Sequence, residues 1–141
     1  MISVLVVDDS MIMRKKIITI LTELGHEVSG EAETGEEAIV KYGKIKPDFV
    51  TMDVTMGEMS GIEATKILKN KYPDMKLVIV TSHGQENLVR QAIKYGAKGY
   101  ILKPVTSEKI ENIMSKIFNI KKEKKIDISK SGANDFLNGT V

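Results

Sequence analysis

The sequence predicts an α/β fold in which a five-stranded parallel sheet is doubly wound, with five helices distributed over both faces. Three observations predict it. Short apolar runs alternate with longer amphipathic stretches five times in succession. The first run, Ile2 to Val7, is continuous and rich in β-branched residues, as in a strand buried on both faces. The stretches between runs are long enough for the right-handed crossovers that parallel strands require.

Each element has its own signal. After the first strand, Ser10 is placed to cap a helix from Met11 to about Leu24, with Ile17, Ile20, Leu21 and Leu24 on one face and Gly25 as its stop. A weaker strand spans about Glu27 to Ala32. Thr34 caps the second helix, Gly35 to about Ile45, with Glu37 in capping-box position. Lys46-Pro47 breaks the chain before a third strand, Asp48 to Asp53. Ser60 starts the third helix, which ends near Tyr72-Pro73. Met75 to Thr81 is the fourth strand, and Glu86 to Tyr95 a helix closed by Gly96. Lys98 to Leu102 is the fifth strand, followed by a helix from Thr106 to about Ile120. The methionines Met11, Met13, Met52, Met56 and Met59 read as core or rim filler.

Composition narrows the function classes. The chain has 141 residues and 42% hydrophobic content, which suits one domain with a core. A formal charge of +2 is too weak a bias to indicate nucleic acid. Cysteine is absent, which excludes disulfides and thiolate chemistry, and the two histidines His26 and His83 are too few for an ordinary zinc site. The apolar start runs into Asp8-Asp9 without a basic leader, and no stretch approaches the roughly 20 apolar residues of a membrane span. The expectation is a cytoplasmic protein with no membrane contact. Residues 1–120 form the domain. Residues 121–141, opening with Lys121-Lys122-Glu123-Lys124-Lys125, read as a tail that either is a solvated extension or mediates self-association or partner docking.

Ligands of such sheets sit beyond the carboxyl ends of the strands. Here those ends carry Asp8-Asp9, Asp53, Thr81 and Lys103. Two like charges about 4 Å apart cost roughly 4 kcal/mol at an effective dielectric of 20, so three gathered carboxylates need compensation. Mg²⁺ suits oxygen-rich sites with few protein ligands. Three aspartates, one lysine and one Mg²⁺ sum to zero formal charge. Carboxylates are nucleophiles towards phosphoryl groups, and Asp53 ends the strand between the other clusters. Asp8 and Asp9 then hold the metal, while Lys103 offsets phosphoryl charge. An aspartyl-phosphate adds about one negative charge. That draws in the Thr81 hydroxyl and leaves space behind it for an aromatic side chain.

These pieces, in order, resemble the receiver domains of two-component response regulators, and in chain length the single-domain, CheY-like members. The resemblance rests on Val6-Val7-Asp8-Asp9-Ser10 with Met13-Arg14, Asp53-Val54-Thr55-Met56 with Gly61, Val80-Thr81-Ser82 and Lys103-Pro104, and covers about residues 1–120. It implies the flavodoxin-like strand order 2-1-3-4-5, for which that family is itself a standard example. It also implies that Asp53 is the phosphoacceptor and that Asp9, Asp53 and the backbone carbonyl of Thr55 ligate Mg²⁺, with Asp8 acting through water. Thr81 and Tyr100 are implied as switch residues and Lys103 as the phosphate-binding lysine. The Lys103-Pro104 bond is implied to be cis, and Thr55 and His83 to modulate phosphoryl lifetime. One departure is visible: Gly57 stands where the family usually has proline, which loosens the loop after the acceptor.

The expected function is a stand-alone switch rather than an enzyme. A histidine kinase phosphorylates it, and a face made by the fourth helix, fifth strand and fifth helix then binds a downstream protein, with chemotaxis or motility as the leading setting. A monomer is expected, with no direct nucleic-acid contact. Two alternatives stay open. One is a phosphorelay intermediate passing the group to a histidine phosphotransfer protein. The other is a Mg²⁺-dependent phosphohydrolase, against which stands Thr55 where such enzymes carry a second aspartate.

Overall fold

The computed structural model describes residues 1–57 and 59–120; the expected tail lies outside the described residues. Five strands, β1 (Ser3–Val7), β2 (Glu27–Ala32), β3 (Phe49–Asp53), β4 (Leu77–Thr81) and β5 (Gly99–Leu102), alternate with α1 (Met11–Glu23), α2 (Gly35–Ile45), α3 (Gly61–Lys71), α4 (Glu86–Lys94) and α5 (Ser107–Phe118). The strands are all parallel and lie in the order β2-β1-β3-β4-β5.

Strand alternation divides the apolar residues between two cores. Leu5, Val7, Val50, Met52, Leu77 and Ile79 join Ala38, Tyr42, Ala64, Leu68 and Ala92 of α2, α3 and α4. Val4, Val6, Phe49, Val78, Val80 and Ile101 join Ile17, Leu21, Ile110 and Met114 of α1 and α5. Both faces of the sheet are therefore dry, which explains why the central strands read as continuous apolar runs.

Four of the five helices open on the expected hydroxyl residue. Ser10, Thr34, Ser60 and Thr106 each accept a hydrogen bond from the backbone N–H three residues on, satisfying a donor the helix itself leaves free. Helix α4 departs: its N-cap is Gln85, whose side chain does not cap it. Two expectations need adjustment. The Glu37 carboxylate pairs with Lys41 at 2.8 Å, a helical i,i+4 contact that competes with the capping-box return. Several elements also begin later than predicted. Ile2 and Met75 are buried yet precede their ladders, and Asp48 accepts hydrogen bonds from the Ser3 N–H and hydroxyl instead of starting β3. Among the methionines, Met52 and Met56 are core residues, whereas Met11 projects into solvent.

Register sets the position of the site. Val7 pairs with Met52, Asp53 with Val80 and Thr81 with Leu102, so Asp8, Asp53, Thr81 and Lys103 fall along one sheet edge. The β1–α1, β3–α3, β4–α4 and β5–α5 loops surround that edge.

Candidate functional site

Asp8 follows directly from β1 and is held at three points. Its N–H donates to the Ala32 carbonyl (3.0 Å), its own carbonyl accepts from Arg14 Nη1 (2.7 Å), and its Oδ1 accepts from the Ser10 N–H (2.8 Å). The remaining oxygen, Oδ2, is buried without a hydrogen-bond partner. Asp9, the next residue, is exposed. Asp53 closes β3 and is 3% exposed; its Oδ1 accepts from the Thr55 N–H at 3.3 Å and faces Lys103 Nζ at 3.9 Å. The lysine is an ion-pair partner at a distance too long for a direct hydrogen bond, which leaves its donors available.

One carboxylate oxygen from each of Asp8, Asp9 and Asp53 lies within 4.8 Å of the others. Burial, and secondarily the Asp8 charge, push the Asp53 carboxyl from 3.8 up to about 6, against the pull of Lys103 and the Thr55 N–H. Burial also raises Asp8, while the Ser10 N–H and Lys103 oppose the rise. Like charges are thus forced together in a dry place, with one oxygen lacking a donor. An oxygen-preferring divalent cation fits that arrangement, and Mg²⁺ is the ion whose coordination needs so few protein oxygens. Asp8, Asp9 and Asp53 are the side chains placed to hold it.

The β3–α3 loop turns tightly behind Asp53. A Cβ at Gly61 would lie 2.0 Å from the Asp53 carbonyl oxygen, so only glycine permits this return. A Cβ at Gly57, by contrast, would meet nothing within 4 Å. Beside the carboxylates opens a cleft of about 740 Å³, lined among others by Asp9, Thr55, Gly57, Lys66, Leu88 and Tyr95.

The other expected residues fall as follows. Thr81 ends β4, is 2% exposed, and donates its hydroxyl to Gln85 Oε1 at 2.8 Å. Tyr100 points outward from β5 with 51% of its surface exposed. It shares with Thr81, His83 and Ile93 the lining of a cavity of about 320 Å³. His83 lies exposed on the β4–α4 loop. The Lys103-Pro104 bond is cis.

Three residues escaped the functional reading of the sequence. Arg14 is buried, and besides the Asp8 carbonyl it pairs with Glu31 (3.0 Å) and Glu33 (3.3 Å), joining α1 to β2 and the loop beyond it. Lys109 donates to the carbonyls of Leu102 (2.9 Å) and Pro104 (3.0 Å), bracketing Lys103. Gln85 receives the Thr81 hydroxyl. An arginine among the apolar positions of an amphipathic helix was the one available signal, and only for Arg14.

Comparison with known proteins agrees with this geometry. Residues 4–115 match the family model described as the response regulator receiver domain. Chemotaxis protein CheY of Thermotoga maritima is 44% identical over 114 residues, spanning 81% of this chain and 95% of that protein. Chemotaxis protein CheY of Bacillus subtilis is 40% identical over 116 residues, 82% of this chain and 97% of that protein. Among solved structures, the CheX-CheY-BeF3-Mg²⁺ complex from Borrelia burgdorferi superposes with a TM-score of 0.79 at 32% identity, covering 85% of this chain and 90% of that one.

Proposed function

The chain belongs to the response regulator receiver family, and from that membership we propose that it is a phosphorylation-switched binding module whose acceptor is Asp53. The observation that carries the proposal is the gathering of Asp8, Asp9 and Asp53 within 4.8 Å at the sheet edge that also carries Lys103. Mg²⁺, when held by those carboxylates, supplies positive charge that offsets the phosphoryl oxygens.

The protein's own groups do the rest. An Asp53 carboxylate oxygen forms the bond to phosphorus while the phosphorus–nitrogen bond of a phosphohistidine donor breaks, the leaving imidazole taking up a proton. The attacking carboxylate must be ionised, and Lys103 favours that form. Once the aspartyl-phosphate stands in the site, the Lys103 ammonium pairs with a phosphoryl oxygen and the Thr81 hydroxyl turns towards another. Thr81 lines the same cavity as Tyr100, so a movement of its side chain changes the room available to that ring. Ile93 of α4 and Tyr100 of β5 are the large exposed apolar side chains on this face, 47% and 51% exposed. They support the α4–β5–α5 face as the surface offered to a downstream protein.

Histidine kinases are the partner class that supplies such a phosphoryl group. The naming of relatives at 40–44% identity as chemotaxis proteins supports a chemotaxis or motility setting. Residues 1–120 constitute the working receiver in this reading, Thr55 offers its carbonyl to the metal, and Thr55 with His83 flanks the phosphoryl group. The test is phosphorylation by a small acyl phosphate with Mg²⁺, followed by intact mass. The native chain is expected to gain one phosphoryl group and Asp53→Asn none; an adduct of equal yield on the variant moves the acceptor elsewhere.

A further inference from the structure

We infer that Gln85 is a latch that holds the Thr81 hydroxyl away from the acceptor in the unphosphorylated protein, and so sets how readily the switch turns. The inference rests on the proposed role of Asp53 and Thr81.

A threonine hydroxyl has one proton to donate. Here it is committed: Thr81 Oγ1 lies 2.8 Å from Gln85 Oε1, against 3.4 Å from its alternative acceptor, the Ser82 carbonyl. The amide orientation is fixed by a second donor, because the Ser82 N–H also points at Gln85 Oε1, at 3.3 Å. The Ser82 N–H can only donate, so it keeps the amide oxygen on this side. The flipped amide would set its NH₂ group against that N–H and lose the bond, and with the oxygen in place the Thr81 hydroxyl is the donor. The Thr81 side chain is buried, so water does not readily replace Gln85 as acceptor.

Geometry explains why Gln85 reaches it. Gln85 occupies the N-cap position of α4, where serine, threonine or aspartate would spend the side chain on the helix's own N–H groups. The longer glutamine side chain makes no cap bond and folds back to the end of β4 instead. The bond thus ties β4 to the first turn of α4, an element of the proposed output face. For the hydroxyl to reach a phosphoryl oxygen on Asp53, the Thr81–Gln85 bond must break. Breaking it also removes one of the ties between the end of β4 and the N-terminus of α4. The latch therefore opposes phosphorylation and couples its own opening to that helix. It is a positioning residue: it acts through Thr81 and touches no reacting atom.

Beryllofluoride, a stable phosphoryl mimic, tests this when titrated at saturating Mg²⁺ and followed by two-dimensional amide NMR. Four chains are compared: native, Gln85→Ala, Thr81→Val, and the double variant. Removing the latch is expected to lower the half-saturating beryllofluoride concentration by roughly two- to tenfold, the range spanned by one net hydrogen bond. In the Thr81→Val background the same Gln85 substitution is expected to change nothing, since no hydroxyl remains to be held. A Gln85→Ala effect of equal size in both backgrounds, or no effect in the native one, overturns the latch. Failure of the native chain to bind beryllofluoride at all would instead overturn the acceptor site, and the latch with it.

Discussion

At the scale of the residue, the site stores electrostatic cost in Asp53, and this makes stability depend on pH in a definite direction. Its carboxyl titrates near 6 when folded and near 3.8 in the ordinary state. Between these values the folded chain keeps a proton that the unfolded chain has lost, so stability from this group is complete below pH 3.8 and drains away as pH rises through about 6. A displacement of about two pH units corresponds to on the order of 3 kcal/mol. Asp53→Asn removes the titration. In chelator-treated buffer at pH 8 the variant is expected to be more stable to urea than the native chain by about 1–3 kcal/mol, with most of the gap closed at pH 4. A gap independent of pH would mean the cost lies elsewhere. Two glycines near Asp53 give a second contrast. Gly57 has open space and a φ outside the left-handed region, so Gly57→Ala is expected to stabilise by about 0.4–1 kcal/mol. Gly61→Ala would drive a methyl into the Asp53 carbonyl and is expected to cost at least about 1–3 kcal/mol. Equal unfolding midpoints for the two variants would contradict this account of the loop. Sequence alone flagged Gly57 as unusual but could not separate these cases, because close approach between distant backbone atoms leaves no local pattern.

At the scale of the element, most of what was legible came from helix starts. Ser10, Thr34, Ser60 and Thr106 announce their helices because capping is a local contact across three residues. Strand starts were less legible. Ile2 and Met75 look like strand residues because they are buried, yet ladder pairing begins after them, and burial does not require pairing. The carboxylates, Thr81 and Lys103 were legible as a site because each lies at a strand end, where parallel register brings the ends together. Arg14 and Gln85 were not, since their partners are set by how α1 and α4 sit against the sheet. Arg14 lets that packing be tested. Its guanidinium is the donor to the buried Asp8 carbonyl and is held in turn by Glu31 and Glu33. Arg14→Met keeps much of the apolar stem but leaves that carbonyl without its partner, and is expected to cost about 1–3 kcal/mol in urea unfolding. Arg14→Lys recovers only part of this, because a single ammonium cannot span three acceptors as the planar fork does. Full recovery by lysine would show that charge, and not the forked geometry, is what α1 contributes.

At the scale of the whole molecule, the sheet separates two dry cores and gathers its polar chemistry at one edge. The strand order itself was not readable from periodicity, since five similar β–α units can be wound in more than one order; it came from the resemblance and matches the observed β2-β1-β3-β4-β5. The two cores have a consequence for the chain's extent. The described side chains that build them run from Ile2, just before β1, to Phe118 at the end of α5, where Phe118 meets Phe49 edge-on at 5.7 Å between ring centres. The family match ends close by, at residue 115. Helix α5 closes at Asn119, whose left-handed conformation (φ 55°) ends the hydrogen-bond ladder with its N–H on the Ser115 carbonyl. Every site side chain lies before that point, Lys103 being the last. A chain ending at Ile120 is therefore expected to unfold in one cooperative step, with a midpoint within a few degrees of the full chain's. It is also expected to take up the acyl-phosphate label on Asp53 with undiminished yield. Thermal unfolding and intact mass on the two lengths measure both quantities. If the shorter chain lost cooperativity, residues 121–141 would belong to the fold; if it stayed folded but failed to label, they would belong to the site.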